Sequence, residues 1–114
     1  ANTFKVITKA GVTSADVIYT VAGSTTTVIL GLIVGNTTSS SITTTVTLGT
    51  DTSNRSGANN EDNQAVELLT ATPIPGNSTL ELLAGNKVVM ETTDTLSVTG
   101  SGAVDVALSV MEIT

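Results

Sequence analysis

Apolar residues run almost unbroken from Val28 to Val34, inside the stretch Thr25–Asn36 (TTTVILGLIVGN), and nowhere else in the chain. Threonines lead into the run and a Gly-Asn pair leads out of it. A run so short and so rich in β-branched residues predicts a strand covered on both faces, because a half-exposed strand would alternate. At a period of two, Val28, Leu30, Leu32 and Val34 form one face, read as the core face. Ile29, Gly31, Ile33 and Gly35 form the other, apolar but notched by glycines that suit close approach of another backbone. Ile29 and Ile33 are therefore expected to be covered by a small-residue strand or by a neighbouring subunit. A buried helix is the rival reading; the flanking threonines and the glycines argue against it.

The rest of the chain alternates. Thr3–Lys9 places Phe4 and Val6 on one face and Lys5, Ile7 and Lys9 on the other. Asp16–Val21 carries Val17, Tyr19 and Val21 in phase. Ser41–Thr50 sets Ile42, Thr44, Val46 and Leu48 against an all-threonine face of Thr43, Thr45 and Thr47. Strands are also predicted at Gln64–Ala71, Ser78–Leu83, Lys87–Glu91 and Thr95–Thr99. Ala103–Thr114 closes the chain with Val104, Val106, Leu108 and Val110 on a core face. Turn signals punctuate this series: Gly11–Ser14, Gly23, Asn36–Ser41, Pro73–Gly76, Ala84–Asn86, Thr92–Asp94 and Gly100–Gly102. Roughly eight short strands at about ten-residue intervals predict an all-β chain, an antiparallel β-sandwich or barrel-like jelly roll. The pattern alone does not select the jelly-roll order.

At 114 residues the chain is one domain, 1–114, large enough for a single core without metals or disulfides. It has no Cys and hence no disulfide framework. The first ten residues alternate and carry Lys5 and Lys9 without an apolar block, unlike a signal peptide. The central apolar run falls far short of the roughly 20 residues a membrane-spanning helix needs, so no membrane partner is expected. A net charge of −6, with Lys5, Lys9, Arg55 and Lys87 scattered, leaves no stripe to track phosphates and argues against nucleic acid. Only 12% of residues are charged. Thr and Ser carry the polar role instead, on surfaces that can be buried against another subunit with few charges to desolvate.

Candidate chemistry is sparse. With no His, the commonest general base, the usual zinc ligand and every Ser-His triad are gone. No phosphate-loop pattern occurs, and Gly100–Gly102 reads as a turn. The one long polar loop, Asp51–Asn63, gathers Asp51, Asn54, Asn59, Asn60, Glu61, Asp62 and Asn63. Oxygen ligands in that density could wrap a hard cation, but the spacing does not fit an EF-hand, and a solvated surface loop is the plainer reading. Phe4 and Tyr19 are the only aromatic residues and both fall in phase with core positions, so no aromatic sugar platform is expected. No catalytic residue, metal ligand or cofactor is assigned.

Two long segments carry a likeness: Val17–Leu48 (VIYTVAGSTTTVILGLIVGNTTSSSITTTVTL) and Ile74–Val98 (IPGNSTLELLAGNKVVMETTDTLSV), with the closing ALSVMEIT. They resemble small virion structural proteins of tailed bacteriophages, most closely those of phages of marine cyanobacteria. The likeness spans most of the chain, with the acidic loop as its divergent part. It implies a non-enzymatic β-sandwich located in the virion and assembled in the bacterial host cytoplasm. It implies a capsid decoration or cement subunit, with a tail, neck or fibre-associated protein as the alternative and a glycan-binding module behind both. Partners would be the major capsid protein or other virion proteins, with the chain itself a homo-oligomer. The expected contacts are the loop, through Asp51, Asn54, Arg55, Asn59, Glu61 and Asp62, the N-terminal segment with Lys5 and Lys9, and Ile29 and Ile33.

Overall fold

The computed structural model describes residues 1–50, 64–83 and 86–114. Among the described residues nine strands account for the fold: β1 (Asn2–Val12), β2 (Asp16–Thr20), β3 (Thr26–Asn36), β4 (Ile42–Gly49), β5 (Ala65–Ile74), β6 (Thr79–Leu82), β7 (Val88–Met90), β8 (Thr95–Gly100) and β9 (Val104–Ile113). They form two antiparallel sheets. Sheet I runs β1-β9-β3-β6, with β7 also on β3, and sheet II runs β2-β8-β4-β5. β6 pairs with Leu32–Gly35 and β7 with Thr27–Ile29, so the two lie in tandem along β3 as one broken strand. Counted that way, the order is that of the eight-stranded jelly roll. The topology that alternation left open is thus settled by pairing.

The core lies between the sheets. Sheet I contributes Ile29, Leu32 and Val34 from β3 and Val104, Val106, Leu108 and Val110 from β9, all buried. Val46, Leu96, Val98 and Tyr19 answer from sheet II. Each such side chain contributes about 1.5–3 kcal/mol by leaving water. β9 matches its predicted faces residue for residue, and it lies between β1 and β3. It is therefore the hydrogen-bonded neighbour of β3.

The predicted faces of β3 are half right. A register shift between Ile29 and Gly31 marks a bulge at Leu30. The extra residue moves the alternation by one. Before it, Thr27 and Ile29 point inward; after it, Leu32, Val34 and Asn36 do. Ile29 is thus core, while Val28 and Leu30 are only half-buried. A similar shift between Val17 and Tyr19 in β2 leaves Tyr19 buried and Val17 exposed. Phe4, expected in the core, is exposed, because β1 is an edge strand whose Phe4 side faces out. β5 extends through Pro73, which an edge strand tolerates because it need donate to only one neighbour.

Two buried polar residues organise the turns. Asn36 donates from Nδ2 to the carbonyls of Ser40, Ile74 and Pro75 and accepts at Oδ1 from the Thr38 amide and hydroxyl. It pins the β3–β4 connection to the β5–β6 turn. Gly76 completes that corner: a Cβ there would run into the Ser39 carbonyl. Asp94 accepts from the Glu91 amide, closing the β7–β8 turn, while its own carbonyl accepts from Val21.

Candidate assembly interface

Residues directly opposite in neighbouring strands share a face, so register alone maps the outside of sheet I. Phe4, Met111, Val28 and Val89 form one row across β1, β9, β3 and β7. Val6, Ser109 and Gly31 form the next, and Thr8, Ala107, Ile33 and Glu81 the one beyond. Asp105, Gly35 and Thr79 close one end, and Asn2, Ile113 and Thr26 the other. Phe4 (71% exposed), Val6 (63%), Val89 (59%), Ile33 (44%) and Ile113 (38%) all lie here. They are five of the seven exposed large hydrophobic residues among those described; Val17 and Val66 sit on sheet II.

The face is also concave. A groove of about 470 Å³ opens at the Gly35 end, floored by Ile33, Gly35, Asp105 and Ala107 and walled by Thr8–Ala10 and Asn77–Thr79. A second hollow of about 220 Å³ lies over Gly31, between Leu30, Ile33, Glu81 and Ser109. A Cβ on Gly31 would meet nothing within 4 Å, so the notch is unfilled by the described residues of the chain. The other outer face is different in kind: Thr43, Thr45, Thr47, Ser97 and Thr99 line it with hydroxyls, with Val17 beside Ser97.

A charged cluster around Glu112 joins the sheets. Tyr19 donates its hydroxyl to Glu112 Oε2 at 2.6 Å and lies 2.7 Å from the Thr27 hydroxyl. Lys5 Nζ reaches Glu112 Oε1 at 2.8 Å. Burial, then the hydrogen bond to Glu112, pushes the Tyr19 phenol up to about 12. The bonds from Lys5 and Tyr19 hold the Glu112 carboxyl below its ordinary value. A raised phenol and a lowered carboxyl have both moved away from the near-neutral range that acid–base catalysis uses. The cluster is a clamp between β1, β2, β3 and β9.

The expected contact residues fall in different places. Asp51, Asn54, Arg55, Asn59, Glu61 and Asp62 lie outside the described residues. Ile33 is on the apolar outer face. Ile29 is not; the bulge turns it into the core, and Val28 takes its place outside. Lys5 and Lys9 stand on the opposite side of β1 from Phe4, paired with Glu112 and, at 3.4 Å, with Asp16. Sequence reading missed Val6, Val28 and Val89 as surface residues, while Met111 lies on the side of β9 opposite the core face, as expected. The signal was present in β9, whose outward positions include Ala107, Met111 and Ile113.

No family model and no curated protein matches the chain. Among solved structures it is similar to a chain of Bacillus endospore appendages, described as a novel family of disulfide-linked pili. That likeness has 13% identity and a TM-score of 0.49, over 98% of this chain and 84% of that one. It is also similar to a chain of the infectious bursal disease virus Gx strain, with 9% identity and a TM-score of 0.38, covering 98% of this chain and 37% of that one. A chain of the T13 particle of the same virus gives 12% identity and a TM-score of 0.28, over 99% and 39%. At these scores the likenesses carry no argument, and the jelly roll rests on the chain's own strand order.

Proposed function

We propose that the chain is a non-enzymatic structural subunit of a virion, a capsid decoration or cement protein that docks on the outer capsid surface through sheet I. The observation that carries this reading is the outer face of sheet I, where most of the exposed large hydrophobic residues collect. Solubility alone gives no reason to hold such a patch in one place; scattered single residues are the ordinary case. At about 4.8 Å between strands and 3.4 Å per residue the face spans roughly 600 Å², near one partner's share of a standard interface. The jelly-roll order, common among capsid proteins, and the sequence likeness to phage virion proteins support the same reading.

The test is particle binding. Val6→Asp with Val89→Asp puts charges on an exposed face and should leave the fold intact while abolishing co-sedimentation with capsids. Unchanged sedimentation would overturn the docking face. Copies per particle then separate capsid from tail: hundreds fit decoration, tens or fewer fit a tail or neck position.

A further inference from the structure

The edge of sheet I carries an inference separate from its face. An open strand edge presents unpaired amides and carbonyls, and proteins usually blunt it. Three of the four edges here are blunted. β2 has five residues and a register shift. β5 has two register shifts, a left-handed Ala71 (φ 42°) and Pro73. The β6–β7 edge is broken into pieces of four and three residues. β1 is the exception: it pairs with β9 in unbroken register from Asn2 to Lys9, and no described strand pairs with its other side. Its lysines, the usual guard of an edge, are each matched by a carboxylate of the same chain, Glu112 or Asp16.

We infer that β1 is a pairing edge for the β1 of a second copy, joined antiparallel about a two-fold axis through Val6. Charge selects the register. Faces match only when the axis passes through a residue of the strand, since each residue and its image must lie on the same side. An axis at Lys5 sets that lysine against itself, and one at Ile7 sets Lys5 against Lys9; like charges directly opposite destabilise a pair. An axis at Phe4 leaves Thr8 to Ala10 unpaired. The axis at Val6 pairs the whole run from Asn2 to Ala10. It sets Phe4 against the partner's Thr8, Lys5 against the partner's Ile7 and Lys9 against the partner's Thr3, with no lysine facing a lysine. The two outer faces then join into one surface with Phe4 and Val6 of both copies at its middle. A dimer presents the docking face twice, which raises avidity without any new contact.

The chain has no cysteine, so single-cysteine variants report register directly. Under mild oxidation Val6→Cys alone should give a disulfide-linked dimer. Phe4→Cys and Thr8→Cys should cross-link only when mixed, because each lies about 14 Å from its own image in this register. Val6→Lys places two like charges on the axis and should weaken dimerisation at least tenfold by sedimentation, with the circular dichroism unchanged. A wild-type chain that stays monomeric at high micromolar concentration, a ladder of larger species, or cross-links at Phe4 alone would each overturn the inference. The inference goes beyond the docking proposal. Thr3→Lys, which sets a lysine against the partner's Lys9 on the side of β1 away from the docking face, separates the two proposals: a monomeric variant that still sediments with capsids leaves docking standing, and a dimer that fails to sediment removes docking alone.

Discussion

Tyr19 is the single tyrosine in a chain without tryptophan, so its ionisation can be followed cleanly by near-ultraviolet absorption. Its hydroxyl sits between Thr27 and Glu112, and burial with the Glu112 bond raises its pKa to about 12. A phenol whose folded pKa exceeds its unfolded value of about 10 contributes stability below pH 10, lost as pH rises toward 12. Glu112 acts with the opposite sign. Its folded pKa is lowered, first by the Lys5 bond and then by Tyr19, so it contributes stability above the unfolded carboxyl value of about 4.3, lost as pH falls through the folded value. The native protein should titrate its phenol well above 10. Glu112→Gln should bring that midpoint down but not to 10, since burial remains, and should flatten the acid limb of stability. A native midpoint near 10 would show the clamp to be absent. None of this was legible beforehand. Glu112 stood alone on its strand, and the partners Lys5, Tyr19 and Thr27 come from three other elements. Asn36 was legible only as a turn residue; its three carbonyl acceptors are brought together by the jelly-roll corner.

At the scale of elements, β9 and β4 were readable because the inserted residues at their register shifts lie on the partner strands β1, β3 and β5, so a period of two sorts their side chains correctly. β3 was not, because Leu30 is an inserted residue, and in a run that is apolar on both faces nothing marks where alternation slips. The bulge makes a direct prediction. Ile29→Ala should cost roughly 2–5 kcal/mol, the range for truncating a buried Ile. Ile33→Ala should cost under about 1 kcal/mol, as surface substitutions do. Denaturant unfolding of both variants decides it; equal losses, or a larger loss at Ile33, would restore the unshifted register. The same slip explains the candidate site. With Ile29 turned inward, Val28 completes the row from Phe4 to Val89, and the outer patch becomes continuous across four strands.

For the whole molecule, the 51–63 loop, one of the places expected to meet a partner, can be separated from the outer face of sheet I. The strands on either side of the loop are tied to each other. The Thr50 amide donates to the Gln64 carbonyl at 2.8 Å, and the Gln64 amide donates to the Thr50 hydroxyl at 2.9 Å. These bonds extend the β4–β5 ladder to the last described residue on each side. Replacing residues 52–62 with a short Asn-Gly turn should therefore leave the melting temperature within a few degrees. Shortening a loop lowers its closure entropy only slowly with length. The turn also suits the right-handed twist of the flanking strands. Capsid co-sedimentation of that variant then assigns the contact. Retained binding places docking on the outer face of sheet I, where Val6 and Val89 carry it; lost binding with an intact fold moves docking to the loop.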